Sequence, residues 1–249
     1  HPPWVAPEPF TTLYDPQKVP PPVRAISLED EGRHHPMLSV LHEMKPKNDF
    51  FESSSDSPVA QMSDQEFLQA KATYFGLMTE IDEQLGRIFD YLKATNQYDS
   101  TLIVFTSDHG EQLGDHYLFG KLGYFDASYH IPLIIRDPKR QLQNVKTLEH
   151  FSESVDVMPT ILDWLGLEIP DQCDGRSLLP FLENEVPRNW REEVHSEFDF
   201  RWIGSYQPMI EERFGLLPDE CSLVIIRDDD YKYVHMTALP PLFLSLIHI

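Results

Sequence analysis

The run Thr101-Leu102-Ile103-Val104-Phe105-Thr106 constrains this chain most. It is short, β-branched and aromatic, and it breaks at once into a loop carrying Asp108, His109 and Glu111, with Lys121 further along. Buried strands of α/β proteins read as near-continuous apolar runs, and such proteins seat ligands beyond the carboxyl ends of those strands. Asp-His-Gly alone is satisfied by a turn, with Asp capping and Gly supplying a positive φ. The longer stretch says more, because residues 108–123 hold two histidines, three carboxylates, four glycines and one lysine. Asp and His suit a divalent cation, and glycines let the backbone bend closely round a ligand. A carboxylate, an imidazole and an ammonium released together at a strand edge point to a metal-assisted site for a small anionic substrate.

The flanking pattern gives the architecture. Ser63 and Glu66 form a capping box, after which Phe67, Ala70, Tyr74, Leu77, Met78, Ile81, Leu85, Ile88 and Leu92 recur at helical spacing. This predicts a long helix that packs its apolar stripe on a sheet and ends near Thr95-Asn96. Helix, strand, site loop and a second strand over Ile131–Arg136 alternate in the way of a mostly parallel sheet flanked by helices. A further helix is expected over Ser154–Leu165, with Pro159 in its first turns. Beyond Pro170, Glu193–Phe200 and Ser222–His235 read as strands, the second folding back at Asp228-Asp229-Asp230. The expected fold class is therefore α/β, with residues 1–169 in the main domain and 170–249 in a small antiparallel C-terminal subdomain. Residues 1–60, rich in proline, histidine, serine and charge, are expected to form a long irregular surface excursion. Lids and subunit contacts are its expected uses, the latter in a homo-oligomer.

Composition narrows the partners. A formal charge of −21 opposes nucleic acid and anionic membrane, so an anion site must be locally positive. No apolar run approaches the ~20 residues that span a bilayer. Cys173 and Cys221 lie in dissimilar settings and suggest no disulfide framework, so a reducing, cytoplasmic compartment is expected.

Several segments carry a resemblance: Phe105 to Pro138 with its Ser-Asp-His-Gly-Glu and Gly-Lys-Leu-Gly pieces, the opening His-Pro-Pro-Trp-Val-Ala-Pro-Glu-Pro-Phe, Ser-Val-Asp-Val-Met-Pro-Thr at 154–160, and Asp-Gly-Arg-Ser-Leu-Leu-Pro at 174–180. On these residues the chain resembles the sulfatase branch of the alkaline phosphatase superfamily, and within it the phosphonate monoester hydrolases. The histidine at position 109, where ordinary sulfatases more often have Asn, is one reason for that narrower match. The resemblance implies an alkaline phosphatase-like fold and a hydrolase of phosphonate monoesters or phosphodiesters. Asp108 and His109 match its metal pair, Lys121 the lysine on the transferred group, and His1 the histidine that hydrogen-bonds substrate near the leaving group. It also implies one divalent ion (Mn, Ca or Zn) and a formylglycine nucleophile made from a Cys-x-Pro-Ser-Arg motif. Neither Cys173 nor Cys221 sits in such a motif, so the sequence is expected to be a C-terminal fragment with half an active site, inactive alone. An aryl sulfatase and a non-catalytic, degenerate relative remain as alternatives. Glu111, Asp115 and His116 receive no role, and His130 reads as an ordinary strand-edge residue. The last six residues depart from the family pattern and are given no structure.

Overall fold

The computed structural model describes residues 2–52, 54–140, 147–199, 207–217 and 220–245. In chain order its helices are α1 (Leu28–Gly32), α2 (Pro36–Met44), α3 (Asp64–Ala94), α4 (Asp126–Tyr129), α5 (Val157–Trp164), α6 (Leu179–Leu182) and α7 (Gln207–Phe214). Its strands are β1 (Ile103–Thr106), β2 (Leu133–Arg136), β3 (Val194–Phe198), β4 (Leu223–Arg227), β5 (Tyr231–Met236) and β6 (Leu242–Ser245). The chain divides into two compact units, His1–Pro138 with Arg201–Pro218, and Lys139–Phe200 with Asp219–Ile249. No helix among the described residues is long and apolar enough to cross a membrane.

In the first unit α3 begins as its sequence dictates. The Ser63 hydroxyl accepts from the Glu66 amide, and the Glu66 carboxylate accepts from the Ser63 amide, closing the box. Lys47 lies 2.8 Å from the same carboxylate. Phe67, Ala70 and Ala72 are buried, and at Gly76 the helix meets the Phe10 carbonyl so closely that a Cβ would stand 2.3 Å from its oxygen. Beyond that point the expectation of a fully packed stripe does not hold among the described residues. Met78, Ile81 and Ile88 are each more than half exposed.

The expected surface excursion over residues 1–60 is also corrected. Trp4, Met37, Leu38, Val40, Leu41, Met44, Phe50 and Val59 are all core residues. Trp4 sits among the rings of Phe50, Phe51, Tyr74 and Phe119, with centroids 5.1–5.7 Å away. The Trp4 amide donates to the Phe50 carbonyl at 2.8 Å, pinning this entry to the core. Proline and charge are frequent in the segment, but the Met, Leu and Val residues just named and the rings of Trp4 and Phe50 are buried all the same.

β1 and β2 form a two-stranded sheet in antiparallel register, Ile103 opposite Arg136 and Thr106 opposite Leu133. The alternation of helix and strand predicted a parallel pair here. The connection through residues 107–132 contains only a 3-10 turn at Asp115–Tyr117 and the single turn α4, with no long crossover helix, so the chain returns at the end it left. Arg136 closes the far end, donating to the carbonyls of Tyr98 and Thr101.

The second unit carries the antiparallel sheet β3-β4-β5-β6. Its hairpin turns at Asp228, whose Oδ1 accepts from the amides of Asp230 and Tyr231. β6 runs through Leu244 and Ser245, so the first two of the six residues given no structure belong to the sheet, and the other four lie outside the described residues. Pro159 lies in the first turn of α5 as expected. Ahead of α5, the fully buried Asp156 accepts from the Glu153 and Arg176 amides and from both Nη atoms of Arg191. Cys173 and Cys221 are not joined in a disulfide.

Two stability outcomes follow from these contacts. The Lys47 ammonium and the Ser63 bonds hold the Glu66 carboxyl down to about 2, from 4.5. Its contribution is therefore complete above pH 4.5 and is lost as pH falls toward 2. Urea titrations of wild type and Glu66→Gln should differ at pH 7 and converge toward pH 2. Arg191→Met strands a fully buried carboxylate and should destabilise the second unit by ~3–5 kcal/mol at pH 7 in the same assay.

Candidate functional site

The site is built on the connection that leaves β1 at Thr106. Ser107 steadies it by donating its hydroxyl to the His109 carbonyl at 2.7 Å. Asp108 follows with its side chain 84% exposed, its Oδ1 accepting from the His109 amide at 3.0 Å. His109 Nδ1 is 2.7 Å from the Gly110 carbonyl oxygen. A carbonyl can only accept, so Nδ1 donates, and in the neutral ring it is Nε2 that carries the lone pair. That Nε2 lies 3.6 Å from Asp108 Oδ2. Two electron-pair donors thus share one small space, an arrangement that a cation between them relieves.

The charge of His109 when protonated, then backbone hydrogen bonds and the Lys121 ammonium, hold the Asp108 carboxyl below its usual range. Asp108 is accordingly a carboxylate at neutral pH. Lys121 is exposed, and its charge reaches Asp108. The structure brings together three of the four expected residues, Asp108, His109 and Lys121. His1, the fourth, lies outside the described residues. Among the described residues no group of three or more His, Cys, Asp or Glu side chains converges to hold a metal, so Asp108 and His109 stand as a pair.

Residues that the sequence left without a role fix the loop's shape. Gly110 donates its amide to the Ser128 carbonyl at 2.8 Å, and a Cβ there would lie 2.0 Å from the Ala127 oxygen. Gln112 is fully buried, its side-chain amide donating to Ser128 Oγ and the Leu122 carbonyl. Glu111 accepts from the amides of Gly120 and Leu113, and burial pushes its carboxyl up. Asp115 accepts from the Val23 amide at 2.9 Å. His116 places Nδ1 2.9 Å from Glu31 Oε1 and stacks on Phe125 at 3.6 Å. These groups are tied down internally rather than offered to a ligand. Leu113, His116 and Tyr117 all have positive φ, a conformation that persists in such residues only when the surroundings impose it. His130 is exposed and follows α4, its amide bonded to Asp126.

Comparison with known proteins gives consistent matches. The Sulfatase family profile matches residues 13–167, and that of N-sulphoglucosamine sulphohydrolase, C-terminal, matches 114–238. The chain is 50% identical over 246 residues to the multifunctional alkaline phosphatase superfamily protein PehA of Trinickia caryophylli, covering 99% of this chain and 47% of that one. It is 33% identical over 171 residues to N-acetylglucosamine-6-O-sulfatase of Bacteroides thetaiotaomicron, covering 68% of this chain and 28% of the relative. The phosphonate monoester hydrolase of Agrobacterium radiobacter superposes with a TM-score of 0.92 at 40% identity, covering 100% of this chain and 49% of that structure. The Silicibacter pomeroyi phosphonate monoester hydrolase gives 0.88 at 41% identity, with 99% and 48% covered. The chain thus spans about half the length, or less, of these relatives. The expected α/β fold of alkaline phosphatase type is the fold of these neighbours.

Gly110→Ala tests the loop's packing directly. The added Cβ meets backbone rather than a yielding side chain, so thermal unfolding should begin at lower temperature than in wild type, and the Gly110–Ser128 amide should lose hydrogen-exchange protection.

Proposed function

The chain belongs to the sulfatase family, and from that premise we propose that the whole protein is a metal-dependent hydrolase of phosphonate monoesters or phosphodiesters. The observation that carries this reading is the His109 ring. Its Nδ1–H is spent on the Gly110 carbonyl, and its Nε2 faces the Asp108 carboxylate, on which the charge of Lys121 also acts. The similarity to two phosphonate monoester hydrolases supports the substrate class.

Family members generally use a divalent metal and a formylglycine. The Asp108–His109 pair fits one such ion, since it offers a carboxylate oxygen and an imidazole nitrogen whose ring is already oriented by its other nitrogen's bond to the Gly110 carbonyl. A mixed nitrogen and oxygen set favours Mn²⁺ or Zn²⁺ over Ca²⁺. When bound, the ion supplies Lewis-acid polarisation of the ester oxygens.

The chain's own residues do the rest of what is proposed here. Asp108 contributes the charge that retains the cation, and His109 fixes its direction through a ring that cannot rotate without losing the Gly110 bond. Lys121 presents an ammonium to the non-bridging oxygens, where negative charge grows as the bond to the leaving oxygen breaks. His1 hydrogen-bonds substrate at that leaving oxygen and assists proton movement there. The nucleophile is assigned to a formylglycine outside these 249 residues. Residues 1–169 are taken as part of the catalytic domain and 170–249 as its C-terminal subdomain. A cytoplasmic homo-oligomer is the assembly proposed.

A second reading keeps the chemistry and changes the substrate to an aryl sulfate, supported by the similarity to sulfatases. Full-length protein assayed side by side on an aryl phosphonate monoester, an aryl phosphodiester and an aryl sulfate separates the two. The first two should be cleaved with the higher kcat/KM, and a sulfate preference reverses the assignment. In the same protein Lys121→Ala should lower turnover roughly 10²–10³-fold with metal content unchanged. Asp108→Ala should lose metal, as read by elemental analysis of the purified protein.

A further inference from the structure

We propose that Glu111 is a positioning residue for Lys121, an inference that rests on the role given to Lys121 above. The geometry is a clip across the loop. The Glu111 carboxylate accepts from the Gly120 amide at 2.6 Å and from the Leu113 amide at 3.3 Å, both on Oε1. One residue on, the Gln112 amide donates to the Gly120 carbonyl at 3.0 Å. Both polar groups of Gly120 are therefore gripped by Glu111 and Gln112. Gly120 itself has φ +78°, a conformation that sets the direction in which the chain continues into Lys121.

The clip joins the two parts of the site that must act on one substrate. Glu111 is two residues beyond His109, and Gly120 immediately precedes Lys121. The intervening stretch does not hold that spacing by regular structure, since Leu113, His116 and Tyr117 are left-handed and only a single 3-10 turn occurs, at Asp115–Tyr117. Gln112 fixes its own end of the clip through Ser128 and Leu122. A side-chain oxygen at this reach, accepting two backbone amides, spans a gap that a shorter or non-accepting side chain does not. Without it, nothing else described grips the Gly120 N–H, and the ammonium one residue later loses its fixed place relative to Asp108 and His109.

A double-mutant cycle in the full-length protein tests this, with an aryl phosphonate monoester as substrate and kcat expressed per bound metal. Glu111→Ala should lower kcat roughly 10- to 100-fold, the scale of a catalytic group displaced by about an ångström, while KM and metal content hold. Glu111→Gln, which keeps an oxygen for the Gly120 amide, should retain most of the rate. In a Lys121→Ala background Glu111→Ala should add little, because the group it positions is gone. Should Glu111→Ala not accumulate as folded protein, Glu111→Asp, which withdraws the carboxylate by one methylene, enters the same cycle. Equal losses in both backgrounds, or an unchanged kcat in Glu111→Ala, overturn the positioning role and leave the function intact. A Lys121→Ala enzyme at full rate overturns both.

Discussion

The packing of Phe119 against Trp4 is the contact on which the rest of the first unit depends. Phe119 belongs to the loop that ends at Lys121, yet it is almost wholly buried, facing Trp4, Phe50 and Phe51 and stacked on Phe67 of α3. An irregular loop holds its shape poorly by backbone bonds alone, and burial of a ring this size stabilises it by roughly 1.5–3 kcal/mol. Through that ring the loop, the opening segment and the start of α3 share one core. Proline-rich residues that would otherwise drift across the surface become the wall against which the site loop rests.

On top of that apolar footing sits a set of polar ties that reach far along the sequence. His116 and Glu31 are 85 positions apart, and Asp115 and Val23 are 92 apart. His42 meets the His116 carbonyl at 2.8 Å, and the Tyr117 hydroxyl donates to Ala25. Each joins a residue of the loop to the segment over residues 23–42. The acidic and imidazole side chains that crowd the loop are thereby sorted. Asp108 and His109, next to β1, are left on the open side, and Glu111, Asp115 and His116 are consumed in holding the loop down. In a chain of charge −21 this sorting leaves the site one exposed ammonium that acts on Asp108.

What the sequence shows depends on how local the cause is. The Ser63–Glu66 box, the start of α3, the hairpin at Asp228 and the place of Pro159 were all legible, because each is decided within a few residues. The place of Asp108 and His109 on the connection leaving β1 was legible too, since they directly follow the strand-like run along the chain. The pairing of β1 with β2 was not, because direction depends on the path through residues 107–132 rather than on either strand's composition. Burial of the opening segment was missed for a related reason. Trp4, Phe10, Phe50 and Phe51 follow no period, and they meet Tyr74, Phe119 or the α3 backbone at Gly76, far along the chain. The Glu111 clip left no sequence signal beyond a carboxylate in a loop, and His1 lies outside the described residues.

The close approach at Gly76 has a mechanical consequence. Phe10 presses its carbonyl into a helix surface that has no side chain to spare there, so α3 can neither slide nor roll against the opening segment without collision. From that notch the helix runs roughly 27 Å to Ala94, at 1.5 Å per residue. A tight turn at Tyr98–Ser100 then feeds β1, braced by Arg136. The helix is thus a strut of set length between a fixed seat and the strand that delivers Asp108. A side chain placed at position 76 would lengthen the seat, and the strut would carry the error to the far end as a displacement of Asp108 and His109.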